Sequence, residues 1–199
     1  SALAVVQFSK DGIDYRRESF VSRPANVLAV RFKASQKDMQ NLTFSYSPNP
    51  VSEGKLTAVG SDALLWDARL DNNDMQYAIR IKAINHGGTL TNEGGRITVK
   101  GADEVVFLIT ADTDYRANYA PDFHDPKAYV GVDPLATTAT WLGKAADKGY
   151  DSLLKEHYAD YHNLFSRVSL NLMGDNTTFT DMPINRRLEA YRQGAKDPY

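Results

Sequence analysis

The residues best able to move a proton or hold a metal near neutral pH are four histidines, His86, His124, His157 and His162. His157 and His162 are five positions apart, which on a helix separates them by well over a right angle. A metal-binding pair prefers a spacing of about four, so both read as packing or surface residues. His86 precedes Gly87 and Gly88 and reads as a turn residue. His124 lies in Asp122-Phe123-His124-Asp125, a run that could ligate a cation, but no second cluster completes a site. Asp112 and Asp114 flank Thr113 at the end of an apolar run. A carboxylate pair there could do acid–base work. The plainer reading is that both hydrogen-bond the turn backbone. There is no G-x-S-x-G, no Gly-rich phosphate loop and no H-E-x-x-H. The absence of Cys excludes disulfides, thiol nucleophiles, iron–sulfur clusters and Cys-ligated zinc. No catalytic set can be assembled, and no metal or cofactor is called for. Trp66, Trp141 and eleven Tyr remain. Exposed members of that set could stack on sugar rings, and most should be core.

These residues need a frame. Up to about residue 111 the chain is rich in Val, Ile, Tyr, Phe and Thr in short runs that alternate with a period of two. The runs Ala2 to Phe8 and Ile13 to Phe20 are joined by Asp11-Gly12, a hairpin signal. Val27 to Ala34, Leu42 to Tyr46, Leu64 to Leu70 and Met75 to Ile84 follow. A short pair lies between two Gly-Gly turns, then Arg96 to Lys100 and Val105 to Ala111. The last is almost wholly apolar and belongs in the middle of a sheet. Nine or ten strands joined by short turns predict an antiparallel sandwich.

The remainder has helical spacing. Asp133-Pro134 starts a helix that Gly149 ends. Asp151 is expected to cap a second helix, on which Leu154, Tyr158, Tyr161, Leu164 and Phe165 form an apolar stripe to be buried. Val168 to Leu172 alternates and should be a returning strand, Gly174 to Thr180 a polar loop, and Arg186 to Gln193 a last helix stopped by Gly194.

Length and charge narrow the function. With 199 residues and a net charge of -2, one domain plus an appendage is the expectation, and binding driven by a strongly basic surface is disfavoured. No apolar run approaches the ~20 residues of a membrane helix. No nucleic acid or membrane partner is expected.

Several runs then become informative in combination: Ile13-Asp14-Tyr15-Arg16-Arg17-Glu18-Ser19-Phe20-Val21-Ser22-Arg23-Pro24, Val27-Leu28-Ala29-Val30-Arg31, Gly101-Ala102-Asp103-Glu104-Val105, Thr113-Asp114-Tyr115, the segment from His157 to Leu170, and Arg187-Leu188-Glu189-Ala190-Tyr191 with Asp197-Pro198. Together, and across nearly the whole chain, they resemble the N-terminal region of glycoside hydrolase family 95, the α-L-fucosidase-type enzymes. The resemblance implies a mainly β fold, an antiparallel β-sandwich of the supersandwich type over 1–130. A helical linker over 131–199, with one returning strand near 167–172, would follow it. It also implies an (α/α)6 barrel beyond Asp197-Pro198 that carries the general acid of an inverting hydrolysis of terminal fucose. This chain would then be the later part of the sandwich plus the linker, cut on both sides. It would be non-catalytic and inactive alone, with its own barrel and, through the parent enzyme, a fucosylated glycan as partners. A periplasmic or secreted bacterial protein, its signal peptide upstream, is expected. The family's L-P-T-D-x-R-L reads here Met182-Pro183-Ile184-Asn185-Arg186-Arg187-Leu188. Asn185 is expected to cap the helix in place of the usual pair, and a related α-galactosidase stays open. The loop from Tyr115 to Lys127, long, aromatic and leaving a buried strand, is the candidate for reaching substrate through Tyr115, Arg116, Tyr119 and His124. The competing reading is a free-standing carbohydrate-binding sandwich, which would need no amphipathic linker.

Overall fold

The computed structural model describes residues 2–48, 50–120, 122, 124, 125, 127–170 and 182–196. The expected returning strand ends at Asn171 and Leu172, and these, like the loop 174–180 and Asp197-Pro198, lie outside the described residues. The chain divides into two units, Ser1–His162 and Asn163–Tyr199.

Period-two alternation and tight turns give ten strands among the described residues of the first unit: β1 Ala4–Lys10, β2 Ile13–Ser22, β3 Val27–Ala34, β4 Gln40–Ser45, β5 Ser52–Val59, β6 Ala63–Leu70, β7 Gln76–His86, β8 Thr89–Glu93, β9 Arg96–Ala102 and β10 Glu104–Thr113. Every pairing is antiparallel. The β1–β2 turn is made by Asp11 at φ 54° and Gly12 at φ 75°, the two positive φ values a type I′ hairpin requires. Seven strands form one sheet in the order β1-β2-β3-β10-β7-β6-β5, and three form a second, β4-β9-β8. The apolar run of β10 occupies the centre of the larger sheet, between β3 and β7. Its alternate residues feed two cores. Val105 and Phe107 meet Ile97 and Val99 of the small sheet, while Val106 and Leu108 meet Leu142, Ala145 and Leu153 of two helices.

Those helices are α1, Pro134–Lys148, and α2, Tyr150–Phe165. Asp133 caps α1 by accepting the Leu135 N–H at 2.8 Å, with Pro134 in the first turn and Gly149 at φ 76° closing it. The Gly149 carbonyl accepts the Leu153 N–H at 3.1 Å, so α2 starts at once. Asp151 therefore sits inside the first turn and is not the cap. The buried face of α2 is also not the expected one. It is Tyr150, Leu153 and His157, whereas Phe165 is 67% exposed and Leu164 is exposed. Both faces carry apolar residues, and contacts of the first turn with the sheet decide which one docks. β5, not anticipated, is an edge strand with few apolar residues.

In the second unit Val168, Ser169 and Leu170 form no strand. Their alternation is a pattern that still needs a partner edge. α3, Ile184–Arg192, begins at Pro183 without a side-chain cap, so Asn185 lies within its first turn and does not cap it.

Candidate functional site

β10 delivers the candidate loop to the surface. Both carboxylates at its end take the structural role: Asp112 Oδ1 accepts the Thr113 N–H at 2.9 Å, and Asp114 Oδ1 accepts the Gln76 N–H at 3.1 Å. The loop then closes on itself. Tyr115 and Val130 form a β-bridge, the Arg116 N–H donates to the Tyr129 carbonyl at 2.7 Å, and the Gly131 N–H to the Asp114 carbonyl at 2.5 Å. The rings of Tyr115 and Tyr129 stack at 5.8 Å and 12°. Beyond this neck, Asn118 Nδ2 donates to the Ala128 carbonyl at 3.0 Å. Asp122 and Asp125 accept the backbone N–H groups of His124 and Lys127, so they fold the tip as turn formers. Of the four residues named from sequence, Tyr115 and Arg116 meet at the neck. Tyr119 is 97% exposed, His124 is exposed, and no hydrogen bond joins either side chain to the neck among the described residues. No metal-binding cluster occurs among the described residues. The loop offers flat aromatic faces, one guanidinium and one imidazole, which suit stacking and hydrogen bonding to a polyol. Among its described residues, Asp122 and Asp125 are engaged by backbone N–H groups.

Sequence reading missed Tyr129 and Gly131, because the neck pairs two ends of a long loop and neither end announces the other.

A second constellation joins the sandwich to α2. Glu18 on β2 and Arg31 on β3 are cross-strand partners on the helix face. Arg31 reaches Glu18 Oε2 at 2.5 Å and Asp151 Oδ1 at 2.9 Å, and its guanidinium lies 3.9 Å over the Tyr150 ring. Arg16 takes the other oxygen, Oε1, at 2.6 Å. Burial opposes ionisation of Glu18, but the hydrogen bonds and charges of Arg31 and Arg16 outweigh it and hold the carboxyl below its usual range. The Tyr150 phenol is pushed well up, first by burial and then by the Glu18 carboxylate. Further along α2, His157 stacks on Phe20 at 4.9 Å and its Nε2 lies 3.0 Å from the Ala2 carbonyl, while Asp160 pairs with Arg23. Two of the informative runs therefore meet across one seam within the first unit, through Phe20 and Arg23 of the earlier run and His157 and Asp160 of the later one.

Residues 1–118 match the family described as "Glycosyl hydrolase family 65, N-terminal domain". The chain belongs to this family. Downstream of the family 65 N-terminal domain, residues 149–199 match the description "Glycosyl hydrolase family 95 catalytic domain", which begins at the start of α2. Two curated relatives match the whole length. "Alpha-L-fucosidase 2" of Arabidopsis thaliana is 24% identical over 99% of this chain and 25% of its own length. "Probable alpha-fucosidase A" of Aspergillus niger is 28% identical over 100% of this chain and 25% of its own. This family 65 N-terminal domain and its continuation thus span about a quarter of the length of these relatives, and the chain is homologous to part of larger glycoside hydrolases. Among solved structures, a putative kojibiose phosphorylase from human microbiome superposes with a TM-score of 0.52 at 6% identity, over 82% of this chain and 23% of that one. That likeness shows the fold.

Proposed function

We propose that the chain is the non-catalytic sandwich and linker of an exo-acting glycoside hydrolase, an inverting α-L-fucosidase of family 95 type, and that it orients an (α/α)6 barrel supplied by the rest of that enzyme. The observation that carries this reading is the position of α2. The helix opens the stretch matching the family 95 catalytic description, and its first turns are clamped to the sandwich by Glu18, Arg31 and Tyr150. A free-standing binding module needs no such seam. The described carboxylates of the seam and of the β10 end are engaged structurally, so the acid and the water-activating groups come from the barrel. The loop through Tyr115, Arg116, Tyr119 and His124 faces the substrate in this reading, its tyrosine faces stacking on the glycan. The parent enzyme acts outside the cytoplasm of a bacterium.

The test uses the complete polypeptide with aryl α-L-fucoside and aryl α-galactoside, following the anomer released by NMR. Hydrolysis of the fucoside with β-L-fucose as first product is expected. Preference for the galactoside reassigns the same domain to a related α-galactosidase. No turnover of either, with glycan binding by the 199-residue chain alone, overturns the proposal in favour of a carbohydrate-binding module.

A further inference from the structure

The neck of the candidate loop holds more chemistry than its fold requires. Tyr115 and Tyr129 are stacked with their ring planes 12° apart. Each ring covers one face of the other and keeps one face free, and both stay open to solvent, at 56% and 36% exposure. A free aromatic face bordered by water is a seat for the C–H side of a pyranose ring. The Arg116 backbone is spent on the neck, since its N–H donates to the Tyr129 carbonyl. Its guanidinium is not spent. Among the described residues it makes no ion pair or hydrogen bond, whereas Arg16, Arg23 and Arg31 each hold a carboxylate. The stem of Arg116 is held against Gly131, so closely that a Cβ on the glycine would come within 2.9 Å of the Arg116 Cβ. The neck therefore joins a half-buried, oriented fork of N–H donors to a free tyrosine face.

The same inventory decides which side of a scissile bond such a site serves. An exo-acting enzyme encloses the terminal sugar together with the acid and the water it activates. The neck encloses nothing, and the described carboxylates beside it accept backbone N–H groups: Asp114 from Gln76, Asp122 from His124 and Asp125 from Lys127. The leaving-group side has to stay open, because the glycan continues into solvent there. An exposed aromatic shelf suits that side. Charge decides the class of ring. From Asp114 to Lys127 the loop carries three Asp against one Arg and one Lys, so it opposes an anionic sugar. A neutral ring, whose hydroxyl oxygens accept from the guanidinium, fits.

Resting on the reading of this loop as substrate-facing, we propose that the neck is a leaving-group subsite of the parent enzyme. A neutral pyranose, the sugar to which the cleaved residue is attached, stacks on the free face of Tyr115 and accepts hydrogen bonds from Arg116. Arg116 is then a specificity-determining residue, acting on the choice of glycan.

The test gives the complete polypeptide two substrates. One is a disaccharide of α-L-fucose on galactose, and the other is α-L-fucosyl fluoride, whose leaving group is too small to reach the neck. Wild type is compared with Arg116→Gln, Tyr115→Ala and the conservative Arg116→Lys. Loss of a contact to the leaving group should lower kcat/KM for the disaccharide, relative to that for the fluoride, by about tenfold or more, with Arg116→Lys falling between. Free galactose should inhibit the wild type more strongly than Arg116→Gln or Tyr115→Ala. A ratio that stays at the wild-type value in both of these variants, through equal losses or no loss, overturns the subsite while wild-type turnover upholds the fucosidase reading. A wild type that hydrolyses neither substrate overturns that reading and the subsite with it.

Discussion

Glu18 shows how one side chain can hold two elements. It is buried on β2, yet it ionises more readily in the folded chain than its ordinary value of 4.5 because two guanidinium groups reach it. A carboxyl with a depressed folded value contributes fully above that ordinary value, and its contribution fades as pH falls through the lower folded one. Glu18→Gln is therefore expected to cost about 3 kcal/mol at pH 7, since it leaves the mostly covered Arg31 guanidinium short of one of its two carboxylate partners. The gap to wild type should close as the pH is lowered below about 4. Urea melts of both proteins at pH 7 and pH 3 measure it, and a gap independent of pH contradicts the assignment. The same economy decides the register of α2. Leu153 is fully buried and Phe165 is 67% exposed. Leu153→Ala should cost about 2–5 kcal/mol and Phe165→Ala less than about 1 kcal/mol, read from paired denaturant melts. The sequence favours the Phe165 stripe, because helical periodicity ranks faces by hydrophobicity alone. The side that docks was chosen by Arg31 and Glu18, more than a hundred residues away in the chain.

Elements marked by local chemistry were legible, and elements fixed by their neighbours were not. The β1–β2 hairpin is written in Asp11-Gly12, and α1 in Asp133-Pro134 and Gly149, because each terminus satisfies its own backbone groups. β5 escaped notice because only Leu56 and Ser52 of its eight residues are even half-buried. Its Gly54 is required by cross-strand crowding, since a Cβ there would lie 2.4 Å from that of Ala68. The candidate loop falls between these cases. Its tyrosines and its exit from an apolar strand were visible, but the neck that shapes it depends on a close approach. A Cβ on Gly131 would lie 2.9 Å from the Arg116 Cβ and 3.1 Å from the Asp114 carbonyl oxygen. Gly131→Val should therefore open the neck, separating Tyr115 from Tyr129, while the sandwich melts within about 1 kcal/mol of wild type. Limited trypsinolysis reads this directly, as faster cleavage at Arg116 and Lys127. Unchanged cleavage would show that the loop holds its shape without the neck.

At the scale of the whole molecule, the pairing of the described carboxylates bears on where the proposed glycosidase does its chemistry. A glycosidase needs one protonated and one ionised carboxyl facing each other across open space, about 5–10 Å apart. Among the described residues, several carboxylates on the sheet and the helices are committed elsewhere. Glu18 is neutralised by Arg16 and Arg31, Asp151 by Arg31, Asp160 by Arg23, Glu104 by Lys33 and Glu156 by Lys148. Asp112 and Asp114 cap backbone N–H groups. The Glu18 and Asp160 carboxyls are held below their ordinary range by the guanidinium groups beside them, so neither is kept protonated as a general acid would have to be. The isolated 199-residue chain is therefore expected to release no nitrophenol from an aryl α-L-fucoside above the uncatalysed rate. The complete polypeptide should turn the same substrate over. The measurement is a long incubation of repurified chain beside a Glu18→Gln and an Asp114→Asn variant. Turnover that survives repurification and disappears in one of these variants would place the chemistry in the sandwich and remove the barrel from the argument.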